Sequence, residues 1–393
     1  MIRARAPQHR PRQVDGVLLT CVLLLCLFGV IMVYSSSSIL ARAAHQSGTV
    51  YLRSQIGKLA VGLVLLVGFM RVPSRVLAGR VAWYALGLSV LMLLLLVLPL
   101  GLAVEVRNTK RFLDLGFLRI QPAEFARLGL VLFLASYASR KQELFREDWR
   151  SLVVPLAAIA VVAGLIMLQP NLSSALLLGA LGFALLWLGG QPLRRLLAIV
   201  LPGAAVVAAT LKEYQWERIL GFVRVWFGGG QAELSYHLKQ SLIAMGSGGL
   251  LGKGIGQGLQ KYHYLPFPHT DSILGVVGEE TGFVGVLGLF VVYGIVLMRG
   301  LRIARLAPDA FSGLLALGLT LSVAMNILLH TAVVLGVGPA TGVPLPFVSH
   351  GGSALFTNLI AMGMLLSISR HVQPEPEAIR KPWRLPGGLM RAQ

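Results

Sequence analysis

Charged residues are scarce in this chain. They make up 13% of its 393 residues, while hydrophobic residues make up 55%. Soluble domains are about 25% charged, so this composition excludes an ordinary globular enzyme and predicts a polytopic membrane protein. Acidic residues are the fewest, 16 against 35 Lys and Arg. The basic residues lie mostly in short loops between apolar runs, so topology and anionic lipid account for them, and no nucleic-acid partner is expected.

Cysteine is nearly absent as well. Cys21 and Cys26 both fall inside the first apolar run, which argues against a disulfide framework or a metal site. The chain also lacks zinc-ligand spacing, a serine nucleophile elbow and a dinucleotide fingerprint. The glycine-rich run 246–258 fails the P-loop pattern because Lys253 is followed by glycine rather than Ser or Thr. Two interpretations of that run stay open: a packing turn, or a cradle for a lipid-linked diphosphate.

Long apolar runs dominate what is present. Measured against a spanning length of about 20 residues, they predict an all-α membrane protein with about ten transmembrane helices. The predicted segments lie near residues 17–34, 56–70, 81–101, 121–138, 151–168, 172–190, 195–211, 272–298, 311–337 and 351–369.

Lys and Arg are concentrated on the side of the membrane that holds the N-terminus, which predicts that both termini are cytoplasmic. The predicted organisation is a basic N-terminus (1–16), one transmembrane domain (17–370) and a cytoplasmic tail containing Pro and Arg (371–393). A large extracytoplasmic loop (about 212–270) separates the seventh and eighth helices. Residues 216–226 in that loop have the pattern of an amphipathic interfacial helix.

Three acidic residues lie at or inside the eighth apolar segment, although ionised groups at membrane depth cost at least about 2.5 kcal/mol. Asp271 stands at its external mouth, where it is either a helix N-cap or a functional group. Glu279 and Glu280 follow about 12–14 Å further along the helix. They are expected to face the bundle interior, as a hydrogen-bonding node or a proton or substrate path.

The fourth segment also begins outside, with a proline in its first turn. Glu124 and Arg127 are three residues apart there and share a helix face, so they form either a neutralised pair or part of a site. Together with Asp271 they lie at similar depth, which predicts a polar external cavity. The irregular run 338–353 is also expected to line a cavity, and His330 and His350 are either ligands or hydrogen-bonded core residues.

Several motifs in these segments together resemble the SEDS family (shape, elongation, division and sporulation proteins) over nearly the whole chain. The matching stretches are Lys110–Gly116, Gln121–Glu124, Gln169-Pro170, Gln240–Gly249, His269–Asp271, Gly278–Glu280 and Pro344–Ser349. Details around residues 260–266 and 278 are more similar to the division branch (FtsW) than to the elongation branch (RodA).

The resemblance implies a peptidoglycan glycosyltransferase of the bacterial inner membrane that polymerises lipid II at the outer leaflet with a class B penicillin-binding protein. It places the essential aspartate at Asp271 and its charged neighbours at Arg127 and Glu124. We expect substrate contacts from the remaining matched or basic residues, namely Lys110, Arg111, Gln240, Lys253, Lys261, His269, Thr270, Glu280 and Ser349. No metal ligands are predicted, and assistance by a divalent cation stays open.

Three departures from the family pattern matter. Arg127 stands where the family usually has Lys, Asn171 where Asp follows Gln-Pro, and His350 where Tyr is common. Arginine keeps the charge but not the geometry of lysine. Asn171 lacks a carboxylate, so it is not expected to be the base.

The chemistry is consistent with one carboxylate as general base, because the lipid diphosphate leaving group needs no acid. Three alternatives stay open at this point: an elongation polymerase of the RodA type with the same chemistry, a lipid II flippase, and a scaffold that only recruits the penicillin-binding partner.

Overall fold

The computed structural model describes residues 14–372 apart from 44, 99–102, 107–108, 115, 117–118, 141–144, 146–147, 211–212, 214–215, 218–219, 221–235, 263–264 and 339–341. The predicted N-terminal segment, the tail and most of the predicted interfacial helix at 216–226 therefore lie outside the described residues.

Each of the ten predicted apolar segments contains a helix, which confirms the all-α prediction for the bundle. Among the described residues, two further helices, α3 and α9, lie in connections. The α-helices are α1 (Gly16–Ala43), α2 (Val50–Arg71), α3 (Ser74–Leu77), α4 (Arg80–Val97), α5 (Pro122–Arg140), α6 (Val153–Met167), α7 (Leu172–Leu188), α8 (Leu193–Thr210), α9 (Tyr236–Ser247), α10 (Ile273–Arg305), α11 (Ala310–Val334) and α12 (Gly352–Ser369). Within the described ranges, seven helices are long and apolar enough to cross a membrane, if the 3₁₀ turn that leads into α6 is counted with it.

The centre of the bundle is formed by α5, α11 and α12, whose residues are mostly buried. Helix α2 packs along α12, and α10 packs along α11 and α1. Close approach of α2 and α12 depends on Gly363, because a Cβ there would lie 2.5 Å from the carbonyl oxygen of Leu66. Small residues of this kind allow helix backbones to pack closely in membranes.

A small antiparallel sheet, which was not predicted from the sequence, connects α4 to α5. Its strands are β1 (Ala103–Val106), β2 (Thr109–Asp114) and β3 (Arg119–Ile120), in the order β1-β2-β3. Helix α4 ends at Val97, before the predicted 101. Because the strands are short, they carry little of the hydrophobic periodicity that identifies secondary structure in a sequence.

Candidate active site

A buried ion pair lies at the external end of α5. Arg127 donates from Nη2 to Glu124 Oε2 at 2.7 Å and from Nη1 to Asn326 Oδ1 of α11 at 3.0 Å. Thr357 of α12 also donates to Glu124 Oε2, at 3.4 Å. Both charged residues are about 95% buried, at 6% and 5% exposure. Hydrogen bonds from two neighbouring helices offset part of the desolvation cost of such a pair.

The pair lines a small cavity between α5, α7 and α11. Its lining residues are Ala123, Glu124, Arg127, Ser174, Leu177, Leu178, Asn326 and Val343. Val343 belongs to the irregular run that was expected to line a cavity, and His330 Nδ1 lies 2.8 Å from its carbonyl oxygen. The histidine therefore bonds to main chain within the core.

Asp271 lies beside this run. It is half-buried just before α10, and a Cβ placed on Gly342 would be 3.7 Å from its Oδ2. The adjacent residue Val343 faces the cavity of the ion pair, so the 342–343 segment borders both acidic groups. Ser272, not Asp271, occupies the N-cap position of α10, and no side-chain capping bond is formed there. The N-cap position that was one interpretation of Asp271 thus falls on the next residue.

The segment that carries Asp271 is fixed to the loop before α12 by two hydrogen bonds that its carbonyl oxygens accept. The His350 amide donates to the His269 carbonyl oxygen at 2.8 Å, and Ser349 Oγ donates to the Thr270 carbonyl oxygen at 2.9 Å. Ser349 Oγ also accepts from the Leu345 amide at 2.9 Å. Three predicted substrate residues thus meet beside the predicted base, and two of them contribute carbonyl oxygens to the contact.

A second buried ion pair joins the external loop to α10 and α1. Lys261 Nζ lies 2.7 Å from Glu280 Oε1, and the side chains are 2% and 0% exposed. Ser35 of α1 donates to Glu280 Oε1 and Oε2 at 2.6 and 2.7 Å and accepts from Lys261 at 3.1 Å. The carboxylate is therefore neutralised and multiply bonded, as a buried charge requires.

The neighbouring Glu279 holds the glycine-rich run. Its carboxylate pairs with Lys253 Nζ at 2.8 Å and accepts from the amides of Leu259 and Gln260 at 2.8 and 3.1 Å. Both glutamates thus face the interior as hydrogen-bonding nodes.

The glycine-rich run packs against a break in α10. Gly282 has φ +66° and ψ −169°, a conformation that only glycine adopts readily. The amides of Lys253 and Gly254 donate to the Glu279 and Glu280 carbonyl oxygens at 3.0 Å each, and the Phe283 amide donates to the Gly249 carbonyl oxygen at 2.9 Å. The run therefore satisfies main-chain groups that the break leaves unpaired, as the packing-turn interpretation expects.

The other predicted residues are placed as follows. Lys110 and Arg111 lie on β2, and Arg111 donates to the carbonyl oxygens of Gln169 and Pro170 in the turn before α7. Asn171 caps α7 by accepting from the Ser174 amide at 3.4 Å. Gln240 lies half-buried on α9.

Three polar residues at these sites were missed in the sequence: Ser35, Asn326 and Thr357. Each is a polar residue within an otherwise apolar helix. In the sequence, that polarity is the signal that could have identified it as part of a site. Among the described residues, no group of three or more His, Cys, Asp or Glu side chains comes together as a metal site.

Comparison with known proteins places this architecture in a family. The sequence model of the FtsW/RodA/SpoVE family, which is described as cell cycle protein, matches residues 15–374. A probable peptidoglycan glycosyltransferase FtsW from Thiomicrospira cyclica is 37% identical over 91% of this chain and 92% of its own length. A protein of the same description from Trichlorobacter lovleyi is 34% identical over 96% of this chain and 98% of its own length.

Solved structures of related proteins have a similar fold. A chain from a peptidoglycan synthase complex that coordinates polymerization and crosslinking superposes with a TM-score of 0.73 at 30% identity, covering 91% of this chain and 98% of that chain. The rod shape determining protein RodA of Thermus thermophilus superposes with a TM-score of 0.67 at 28% identity, covering 92% and 98%.

Proposed function

The chain belongs to the FtsW/RodA/SpoVE family of cell cycle proteins, and we propose that it polymerises lipid II into glycan strands during cell division, with Asp271 as general base. It is a peptidoglycan glycosyltransferase and a multi-pass protein of the bacterial cytoplasmic membrane. The observation that carries the residue assignment is the position of Asp271, half-buried at the mouth of α10. It lies next to Gly342, and the following residue, Val343, lines the cavity of the buried Arg127–Glu124 pair.

The reaction requires one proton transfer. Asp271 accepts the proton of the acceptor sugar hydroxyl as that oxygen attacks the anomeric carbon of the donor. The bond between that carbon and the diphosphate oxygen breaks, and its electron pair leaves with the lipid diphosphate. The leaving group is already an anion, so a second carboxylic acid of the glycosidase type is unnecessary.

Arg127 supplies positive charge close to this step. A cation near the diphosphate stabilises the charge that develops as the bond breaks. Glu124 and Asn326 each bind a different nitrogen of its guanidinium, so the orientation of the group is fixed before substrate arrives. We assign Arg127 to orienting Asp271 or meeting the diphosphate, and Glu124 to holding Arg127.

We assign the remaining predicted residues substrate contacts or support of the residues that make them. Lys253 is the more exposed of the two ion-paired lysines, with a side chain 32% exposed against 2% for Lys261. A phosphate group can therefore reach Lys253 more readily. Lys261 and Glu280 support the loop that leads to Asp271.

The proposed partner is a class B penicillin-binding protein. Support comes from the related chain in a peptidoglycan synthase complex, which aligns over almost its whole length. A polymerase in such an assembly would deliver its glycan strands directly to the transpeptidase.

The test is polymerisation of purified lipid II in detergent, with moenomycin present to silence contaminating transglycosylases. Wild type, Asp271→Asn and the control Glu213→Gln, which removes an exposed carboxylate of the long loop, are each co-purified with the partner. We expect long strands from wild type and the control only. Equal product from Asp271→Asn would refute the base assignment, and no product from any variant would favour a flippase or a scaffold.

A further inference from the structure

A lysine outside the proposed catalytic set lies beside the loop that borders Asp271. Lys58 of α2 has Nζ 3.0 Å from His350 Nε2. Its aliphatic stem lies at the start of α12, where a Cβ on Gly352 would be 3.4 Å from Lys58 Cδ and Cε. Lys58 thus reaches from α2 to the turn that precedes α12.

The partner of this lysine carries no charge. Burial lowers the pKa of His350 to about 3, with further contributions from the charges of Lys58 and His269. The imidazole is therefore neutral at physiological pH. His350 Nδ1 lies 2.9 Å from Gln55 Oε1, and Gln55 is 1% exposed. Because an amide oxygen can only accept, Nδ1 carries the proton and Nε2 accepts from the ammonium of Lys58. This chain of bonds orients the ammonium without neutralising it.

No acidic side chain compensates Lys58 in the part of the chain that the structure describes. Lys58 is also half-buried on α2. The start of α12 adds the positive end of a helix dipole at the same place. Burial of an ammonium without a counter-charge is unfavourable, and a bound anion would offset that cost.

We propose that Lys58, oriented by His350 and Gln55, binds the diphosphate of the lipid-linked substrate. This inference rests on the proposed function and adds a binding residue to it. The His350 amide donates to the His269 carbonyl oxygen, two residues before Asp271, so an anion held by Lys58 lies next to the segment that carries the base. A phospholipid headgroup has the same phosphate chemistry, and the experiment separates the two sources.

The experiment measures binding of undecaprenyl diphosphate to the full chain co-purified with its partner, in neutral detergent, without turnover. Loss of one charge-assisted hydrogen bond should weaken binding about tenfold in Lys58→Gln. Lys58→Arg should restore most of the affinity. The matched control is Arg53→Gln, which removes the same charge from an exposed position of α2 and should leave affinity unchanged.

Two further measurements decide between outcomes. In lipid II polymerisation, Lys58→Gln should raise KM about tenfold with little change in kcat. Binding equal to wild type, or an unchanged KM, would overturn the assignment of Lys58 while leaving the polymerase function intact. Lysine-dependent displacement of the diphosphate by equimolar phosphatidylglycerol would instead make this a headgroup site. Lysine-dependent binding without polymerisation by wild type would retain the Lys58 site and refute the proposed function.

Discussion

Replacing Lys261 with methionine should destabilise the bundle by about 3–5 kcal/mol, because it leaves the Glu280 carboxylate buried without its cation. Both side chains are at most 2% exposed, so water cannot replace the lost partner. The hydroxyl of Ser35 remains bonded to the carboxylate but carries no charge. Removing both charges, in Lys261→Met combined with Glu280→Gln, should recover much of the loss.

The neighbouring pair provides a matched comparison. Lys253 also binds a buried glutamate, but its own side chain is 32% exposed. Glu279 additionally accepts two main-chain hydrogen bonds, which remain when the lysine is removed. Lys253→Met should therefore cost clearly less than Lys261→Met.

The chain offers a built-in probe for this measurement. Cys21 and Cys26 are its only cysteines, and they lie on α1 at 7% and 2% exposure. A dye that fluoresces on reaction with thiols therefore reports thermal unfolding of α1, the helix that also carries Ser35. A melting temperature for Lys261→Met equal to that of wild type, or a double variant as unstable as the worse single variant, would refute the argument.

Three other predictions can be checked by polymerisation rates or melting temperatures. Arg127→Lys keeps the charge but cannot preserve both guanidinium contacts, so the initial rate of polymerisation should fall at least about tenfold; an unchanged rate would contradict the geometric role. Gly282→Ala should lower the melting temperature by an amount equivalent to at least about 1–2 kcal/mol, since φ is +66° and the new Cβ would lie 2.6 Å from the Leu250 carbonyl oxygen; Gly288→Ala on the same helix has no atom within 4 Å and should not. Burial lowers the pKa of His350 from 6.5 to about 3, so the unfolded chain binds more protons between these values. The contribution of neutral His350 to the free energy of unfolding is therefore present above about pH 6.5 and is lost as pH falls toward 3, with roughly 2 kcal/mol lost between pH 7 and 5. His350→Phe should flatten the dependence of melting temperature on pH.

The helices were predictable because a single apolar segment in lipid can pair all its backbone hydrogen-bonding groups only by forming a helix. Their ends were less so. The first segment was predicted to stop at 34, yet α1 continues through four consecutive serines to Ala43. Ser35 bonds to Glu280, and Ser37 donates to the Val33 carbonyl oxygen at 2.6 Å. Polarity at the end of an apolar run therefore marked a buried face of the helix rather than its end.

The contacts of the site also divide into those that the sequence predicts and those that it does not. Glu124 and Arg127 share a face at a spacing of three residues, which the sequence displays directly. Lys261 and Glu280 are nineteen residues apart across an irregular loop, and no periodicity relates them. Asn326 adds a contact from α11 that depends on helix packing. Local geometry was therefore readable, whereas contacts between elements required the fold.

The segment that carries Asp271 is held in place by hydrogen bonds to its main-chain groups, donated by both amides and serine hydroxyls. Thr270 and His269 accept at their carbonyl oxygens from the loop before α12. Ser272 Oγ donates to the Pro266 carbonyl oxygen at 3.1 Å, and the Thr270 amide donates to that of Phe267 at 3.1 Å. Such bonds hold a catalytic carboxylate in place before substrate arrives, which is the condition for efficient proton transfer.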